Sequence, residues 1–230
     1  MDIQVSSLEQ PIKAIHVAPQ MVVIEFAGAG AQALAWLHGV AGSSRTVLEA
    51  TDRYAATSVI SCLGFEPTQF TSSEVARALA TKAYIQARQL AEPGTPVAGI
   101  GSTATIATNR TKQGDHRCCV AVCETQGVTT YALTLSKGLR TRQQEENLVS
   151  LLILRAIADV CDVSGLPQLA LGEEEALVEH FEPIDLLARL LAGEVSWVAV
   201  TPDGQMAVGE TLPGIVLLSG AFNPLHEGHR

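Results

Sequence analysis

Positive charge is scarce in this chain of 230 residues: 15 Lys and Arg stand against 24 Asp and Glu, a formal charge of −9. That balance argues against a nucleic-acid backbone or an anionic membrane surface as the main partner, since both are polyanions. Long apolar runs are also missing. The longest, Met21 to Ile24 and Leu148 to Leu154, run into Glu25 and Arg155 and fall short of the ~20 residues a spanning helix needs. Met1 to Gln10 lacks a basic start followed by an apolar stretch, so no secretory signal is expected and the expected location is cytoplasmic. No paired CxxC spacing occurs among the five cysteines. Cys118 and Cys119, adjacent on an expected strand, would point to opposite faces. Reduced, half-buried thiols are therefore expected, and no metal site.

Apolar residues are plentiful, at 47% against 17% charged, enough to bury a substantial core. The length suits one large domain or one domain with a smaller appendage. Met21 to Ala27 reads as a buried strand, and the turn Gly28-Ala29-Gly30 leads into a helix to His38. Thr46 to Tyr54 suits a second strand, followed by a short helix that Gly64 ends. Thr71 and Glu74 have capping-box spacing at the start of a helix in which Val75, Leu79, Ala83 and Leu90 share a face, and Pro93-Gly94 closes it. Pro96 to Gly101 is a short strand. Ser102 to Arg117, polar and small, reads as a loop of a length that usually has a role.

Cys118 to Glu124 and Val128 to Ser136 form an expected hairpin around "TQG", and a helix from about Thr141 to Val160 follows. Beyond Asp162 an acidic cluster, Glu173, Glu174, Glu175, Glu179 and Glu182, reads as a solvated helix start. Pro183 to Leu191 reads as a short helix, and "VSWVAVTPDGQMAV" as two strands about a Pro-Asp-Gly turn. Alternating strands and helices give an α/β class with three layers. The expected organisation is an extension (1–19), an α/β domain (20–162), a connector (163–212) and the start of a further domain (213–230).

Within 20–161, the order "VVIEFAGAG", "AGSS" at 41–44, Tyr54, "LG" at 63–64, "SSEVARALA" at 72–80 and "VAGIG" at 97–101 resembles the CinA C-terminal domain family, the fold of nicotinamide-nucleotide amidases. The resemblance implies a serine nucleophile after the strand glutamate and a lysine base on the short helix after the tyrosine. Here those positions hold Phe26 and Val59, so the pairing that activates a hydroxyl is missing. A catalytically degenerate relative is expected, serving as a packing and dimerisation scaffold or as a ligand-binding module. For a retained site the candidates are Glu25 and Tyr54, the Gly28 and Gly30 N–H groups at a helix start, and Ser102, Thr103, Asn109, Arg110, Lys112, His116 and Arg117. These suit a nucleotide or another small phosphorylated ligand. A relocated nucleophile, Ser43 or Ser44, is the third alternative.

The last stretch, "SGAFNPLHEGHR" at 219–230, follows an apolar run, Gly214 to Leu218, that reads as a strand. It resembles the nucleotidylyltransferase superfamily signature with its His-x-Gly-His element, which opens a Rossmann-like domain. Gly220 lets a nucleotide approach the backbone, Asn223-Pro224 turns the chain away from the strand, and Gly228 permits close approach at the start of a helix whose N-terminus favours phosphate, so that Gly220, Phe222, Asn223 and Gly228 are the nucleotide-binding candidates. His226 and His229 are the catalytic candidates, donating to phosphate oxygens that gain charge in the transition state. The chain is thus expected to be the N-terminal part of a larger transferase. The resemblance implies Mg2+ and a nucleoside triphosphate for the complete domain, and no cofactor for the chain as it stands. A homo-oligomer is compatible with either half.

Overall fold

A computed structural model describes residues 5–109, 114–183, 185–191, 197–200 and 206–207. Two compact units divide the chain, Met1–Ile184 and Asp185–Arg230. The first contains, in order, α1 (Glu9–Ile15), β1 (Met21–Ala27), α2 (Ala31–Gly39), β2 (Val47–Asp52), α3 (Ala56–Leu63), α4 (Ser73–Leu90), β3 (Val97–Thr105), β4 (His116–Cys123), β5 (Gly127–Leu135), α5 (Arg142–Val160) and β6 (Ala176–Pro183). The second unit has a short helix, α6 (Leu186–Leu191), and a strand pair, β7 (Ala199–Val200) with β8 (Met206–Ala207).

Six strands form one mixed sheet in the order β2-β1-β3-β4-β5-β6. β1 is parallel to β2 and β3, and the remaining neighbours are antiparallel. Alternation along the strands sends Val22, Ile24 and Phe26 to one face, with α1, α2 and α5, and Val23 to the other, with α4. Helices on both faces explain why β1 and β3 are buried almost throughout, including Glu25, Ser102 and Thr103. The architecture is α/β with helices on both sides of the sheet.

α4 lies against β3 because both are small where they meet. A Cβ on Gly99 would stand 2.1 Å from Ala80 O, and one on Gly101 2.1 Å from Ala76 O. Ala76, Ala80, Ala83 and Ala87 on the helix side are fully buried.

Several elements differ from the sequence expectation. Residues 9–15, expected in an extension, form α1, whose flank places Leu8, Ile12 and Ile15 in the main core. The acidic segment expected to start a helix instead forms a turn at Glu173 and Glu174 and then strand β6, which carries Glu179 and Glu182 and pairs with β5 from Gly127↔Pro183 to Thr134↔Ala176. The unpaired edge of β5 outweighs helix propensity there, and charges suit the outer strand of a sheet. β3 runs on to Thr105, so Ser102 to Thr105 are strand rather than loop. α4 is capped by Ser72, whose Oγ accepts from Val75 N, and not by Thr71. The Thr71 hydroxyl is engaged 2.8 Å from Thr105 Oγ1. Leu90, at the fraying end of α4, is 47% exposed rather than on the buried face.

Candidate functional site

The Gly28-Ala29-Gly30 turn does open α2, with both glycines at positive φ. The Gly30 N–H at the helix start is not left free for an external anion. Glu146, reaching across from α5, accepts from Gly30 N at 2.9 Å and from Gln32 N at 3.3 Å. A side-chain carboxylate thus satisfies the helix start that a phosphate would otherwise occupy. Asp52 adds to the negative field, its pKa raised by burial and by the nearby Glu146 charge. Gly28 is required by its own chain, since a Cβ there would meet Ala104 O at 2.1 Å. The expected anion site at this turn is corrected to an internal cap.

Glu25 lies on the α4 face of β1, buried to 4% exposure, and its two oxygens accept from Arg53 Nε (2.6 Å) and Nη2 (2.9 Å). This two-point pair engages both oxygens of the carboxylate. Tyr54, the next residue, is 70% exposed and turned to solvent. Phe26 and Val59 are buried in different clusters, Phe26 with the α1, α2 and α5 layer and Val59 with α3 and α4. Neither position offers a heteroatom to a substrate.

The segment 102–117 is divided between the faces of the sheet, so its polar residues do not converge. Ser102 and His116 face α5. The Ser102 hydroxyl is fully buried, 4.0 Å from Cys118 Sγ. His116 Nδ1 donates to Glu145 Oε1 at 2.9 Å, and Glu145 Oε2 accepts from Ala107 N at 2.6 Å. This buried pair anchors the chain leaving β3 to the first turns of α5. Thr103 faces α4, 2% exposed, and its Oγ1 is the buried side-chain polar atom left without a hydrogen-bond partner among the described residues. Asn109 is exposed, while Arg110 and Lys112 lie outside the described residues. Ser102, Thr103 and His116 therefore do not form one ligand site.

The polar groups that do converge sit at the start of α4. A cleft of about 350 Å3 is lined by Thr71, Ser72 and Ser73, by Asp115, Arg117 and Cys119 on β4 and its approach, and by Thr134 among the residues of β5. Burial pushes the Cys119 thiol up, against the opposing Ser73 hydroxyl and Arg117 guanidinium. The sulfur is accordingly a neutral thiol, contacted by Ser73 Oγ at 3.8 Å. Cys118 points the other way, toward Ser102, as strand alternation requires. The cleft can hold a polar group, but it presents no nucleophile paired with a base.

Sequence reading did not single out Arg53, Glu145 or Glu146. Glu145 was in principle legible: it falls on the helical face of Leu148, Val149 and Leu152, where a charge must find a partner. Glu146 and Arg53 have no such local signal, because their partners stand 116 and 28 residues away.

The terminal candidates Gly220, Phe222, Asn223, His226, Gly228 and His229 lie outside the described residues. No family model matches the chain, and no curated protein matches it. Among solved structures it is similar to the competence/damage inducible protein CihA from Agrobacterium tumefaciens, with a TM-score of 0.52, 15% identity, and coverage of 70% of this chain and 96% of that one. It is also similar to a competence-damaged protein (CinA) superfamily protein from Klebsiella pneumoniae, with a TM-score of 0.53, 9% identity, and coverage of 70% and 99%. These likenesses show a CinA-like α/β fold. No described helix is long and apolar enough to cross a membrane.

Proposed function

We propose that residues 213–230 belong to a nucleotidylyltransferase domain, and that the protein holding all of that domain moves a nucleotide from a triphosphate to a small phosphorylated acceptor. The CinA-like unit in this reading is no longer an amidase and serves in ligand binding or dimerisation. The observation that carries the transfer activity is the run Gly220-Ala221-Phe222-Asn223-Pro224-Leu225-His226-Glu227-Gly228-His229. Two imidazoles three residues apart, at the point where the resemblance implies a helix start, are suited to donate to the phosphate oxygens of the triphosphate, and Mg2+ would neutralise the departing pyrophosphate. Loss of amidase activity is supported by Phe26 and Val59, buried where the resemblance expects nucleophile and base.

The test is pyrophosphate release from a nucleoside triphosphate with Mg2+ and nicotinamide mononucleotide as first acceptor. Replacing His226 and His229 together by Ala should cut turnover by about 10²-fold or more. Release that survives the double replacement overturns the assignment.

A second reading has one observation in its favour. Ser43 Oγ lies 2.6 Å from His38 Nδ1, so a relocated serine has a base within reach. Ammonia release from nicotinamide mononucleotide that disappears in Ser43→Ala would establish it, and absence of release removes it.

A further inference from the structure

His16 ends α1 and is only 1% exposed. Its ring joins three elements. Nε2 lies 3.0 Å from Leu37 O near the end of α2, and Nδ1 lies 2.8 Å from the Oγ1 of Thr46, the residue before β2. A carbonyl can only accept, so Nε2 carries the proton. In the neutral ring Nδ1 is then the acceptor, and the Thr46 hydroxyl donates to it. Arg45 Nε donates to His16 O at 2.8 Å and holds the same joint from the backbone side. The chain closes tightly over the ring at Gly42, which has a positive φ and where a Cβ would stand 3.1 Å from His16 Cβ.

A second proton on this ring is poorly accommodated. Nδ1–H would need Thr46 Oγ1 as its acceptor, which turns the hydroxyl hydrogen toward Ile15 O, 3.4 Å away and beyond the usual hydrogen-bond range. The charged groups that act on the ring are Arg45 from the approach to β2 and His38 from α2, and both oppose a cation. On α1 itself Lys13 and Glu9 pair with each other at the surface. No carboxylate of α1, α2, α5 or the sheet, among the described residues, offsets the two cations at the ring. Burial first, then Arg45 and His38, hold the imidazole below its ordinary value.

We propose that His16 is a pH-sensitive clasp, whose neutral ring holds α1 on α2 and β2 and whose proton uptake favours release of residues 8–16 while the sheet stays paired. α1 contributes no strand to the sheet, so it can open without breaking a ladder. Opening takes Leu8, Ile12 and Ile15 out of the core and uncovers the groove that Ile12 and Trp36 line together. The open segment has an ordinary histidine, titrating near 6.5, and binds a proton that the closed one refuses. Above about pH 6.5 the clasp is therefore at full strength, and it weakens as pH falls until the closed ring is protonated too. The inference goes beyond the transferase and amidase readings and depends on neither.

The test is amide hydrogen exchange of the whole protein between about pH 7.5 and 5, corrected for intrinsic rates. The Ile12 and His16 amides donate to Leu8 O and Ile12 O. Their protection should fall by up to about tenfold per pH unit below about 6.5, while the β3–β4 ladder holds. His16→Gln retains one donor and one acceptor and should flatten that dependence, whereas His38→Gln should keep it. Imidazole nitrogen shifts of the native protein give a reading that needs no substitution: His16 should remain the neutral Nε2–H tautomer as pH passes below about 6.5. A flat α1 response, a slope that persists in folded His16→Gln, or one that disappears in His38→Gln overturns the clasp. So does a fall in protection shared equally by α1 and the sheet, or a His16 ring already charged at about pH 6.5.

Discussion

Carboxylates in this unit act mostly by tying distant parts of its own chain together. Glu175 shows it best. It takes the Arg140 guanidinium, with Nη2 at 2.7 Å from Oε2, and the N–H groups of Ser136 (2.9 Å) and Gly172 (2.6 Å). Burial by itself would raise the carboxyl, but Arg140 and the two amides bring it down to about 2. Because the folded value lies below the unfolded one of about 4.3, the stabilisation is complete above that value and is lost as pH falls toward 2. Acid denaturation followed by circular dichroism should therefore show a less steep loss of stability between about pH 4 and 2 in Glu175→Gln than in the native protein. An unchanged acid limb would count against the latch.

At the scale of the elements, the contact of α4 with β3 decides where the cleft lies. Two glycines on the strand and a row of alanines on the helix let the two backbones touch. A methyl group at Gly101 must displace backbone rather than a flexible side chain, the costly form of overpacking. Gly101→Ala is expected to destabilise by about 3 kcal/mol in chemical denaturation. Gly114→Ala, with open space around its Cβ position, is the matched control and should change little. Equal effects of the two would show that the α4–β3 contact is not tight.

For the molecule as a whole, the boundary between units falls after residue 184. β6 completes the sheet beside β5, and α1 covers the main core from the other end of the chain. A chain ended at residue 162 would expose the β5 edge and remove Glu175, whereas one ended at 184 keeps both. Thermal unfolding should place the shorter chain about 10 °C or more below the longer, taking roughly 2–4 °C per kcal/mol for a unit of this size. Coincident midpoints would mean that β6 adds nothing to the fold.

Local pattern was enough for the strand, glycine turn and helix at 21–39, the helix ended by Gly64, the body of the hairpin from Cys118 and the helix after Thr141, though His116 and Arg117 read as loop and begin β4 instead. Each of these is written in contacts a few residues apart: period, caps and turn residues. The α/β class followed from their alternation. Three-dimensional packing decided the rest. Whether the stretch from Ala176 to Glu182 becomes helix or strand depends on the open edge of β5, which no nearby residue announces. Whether the Gly30 amide meets a ligand or a side chain depends on Glu146, brought there by the packing of α5 over α2. The polar residues of 102–117 looked like one group along the chain, yet strand pleating sends alternate members to opposite faces of the sheet. Arg117 then shares a cleft with its hairpin neighbour Thr134 and with Ser73, which comes from an element distant in the chain.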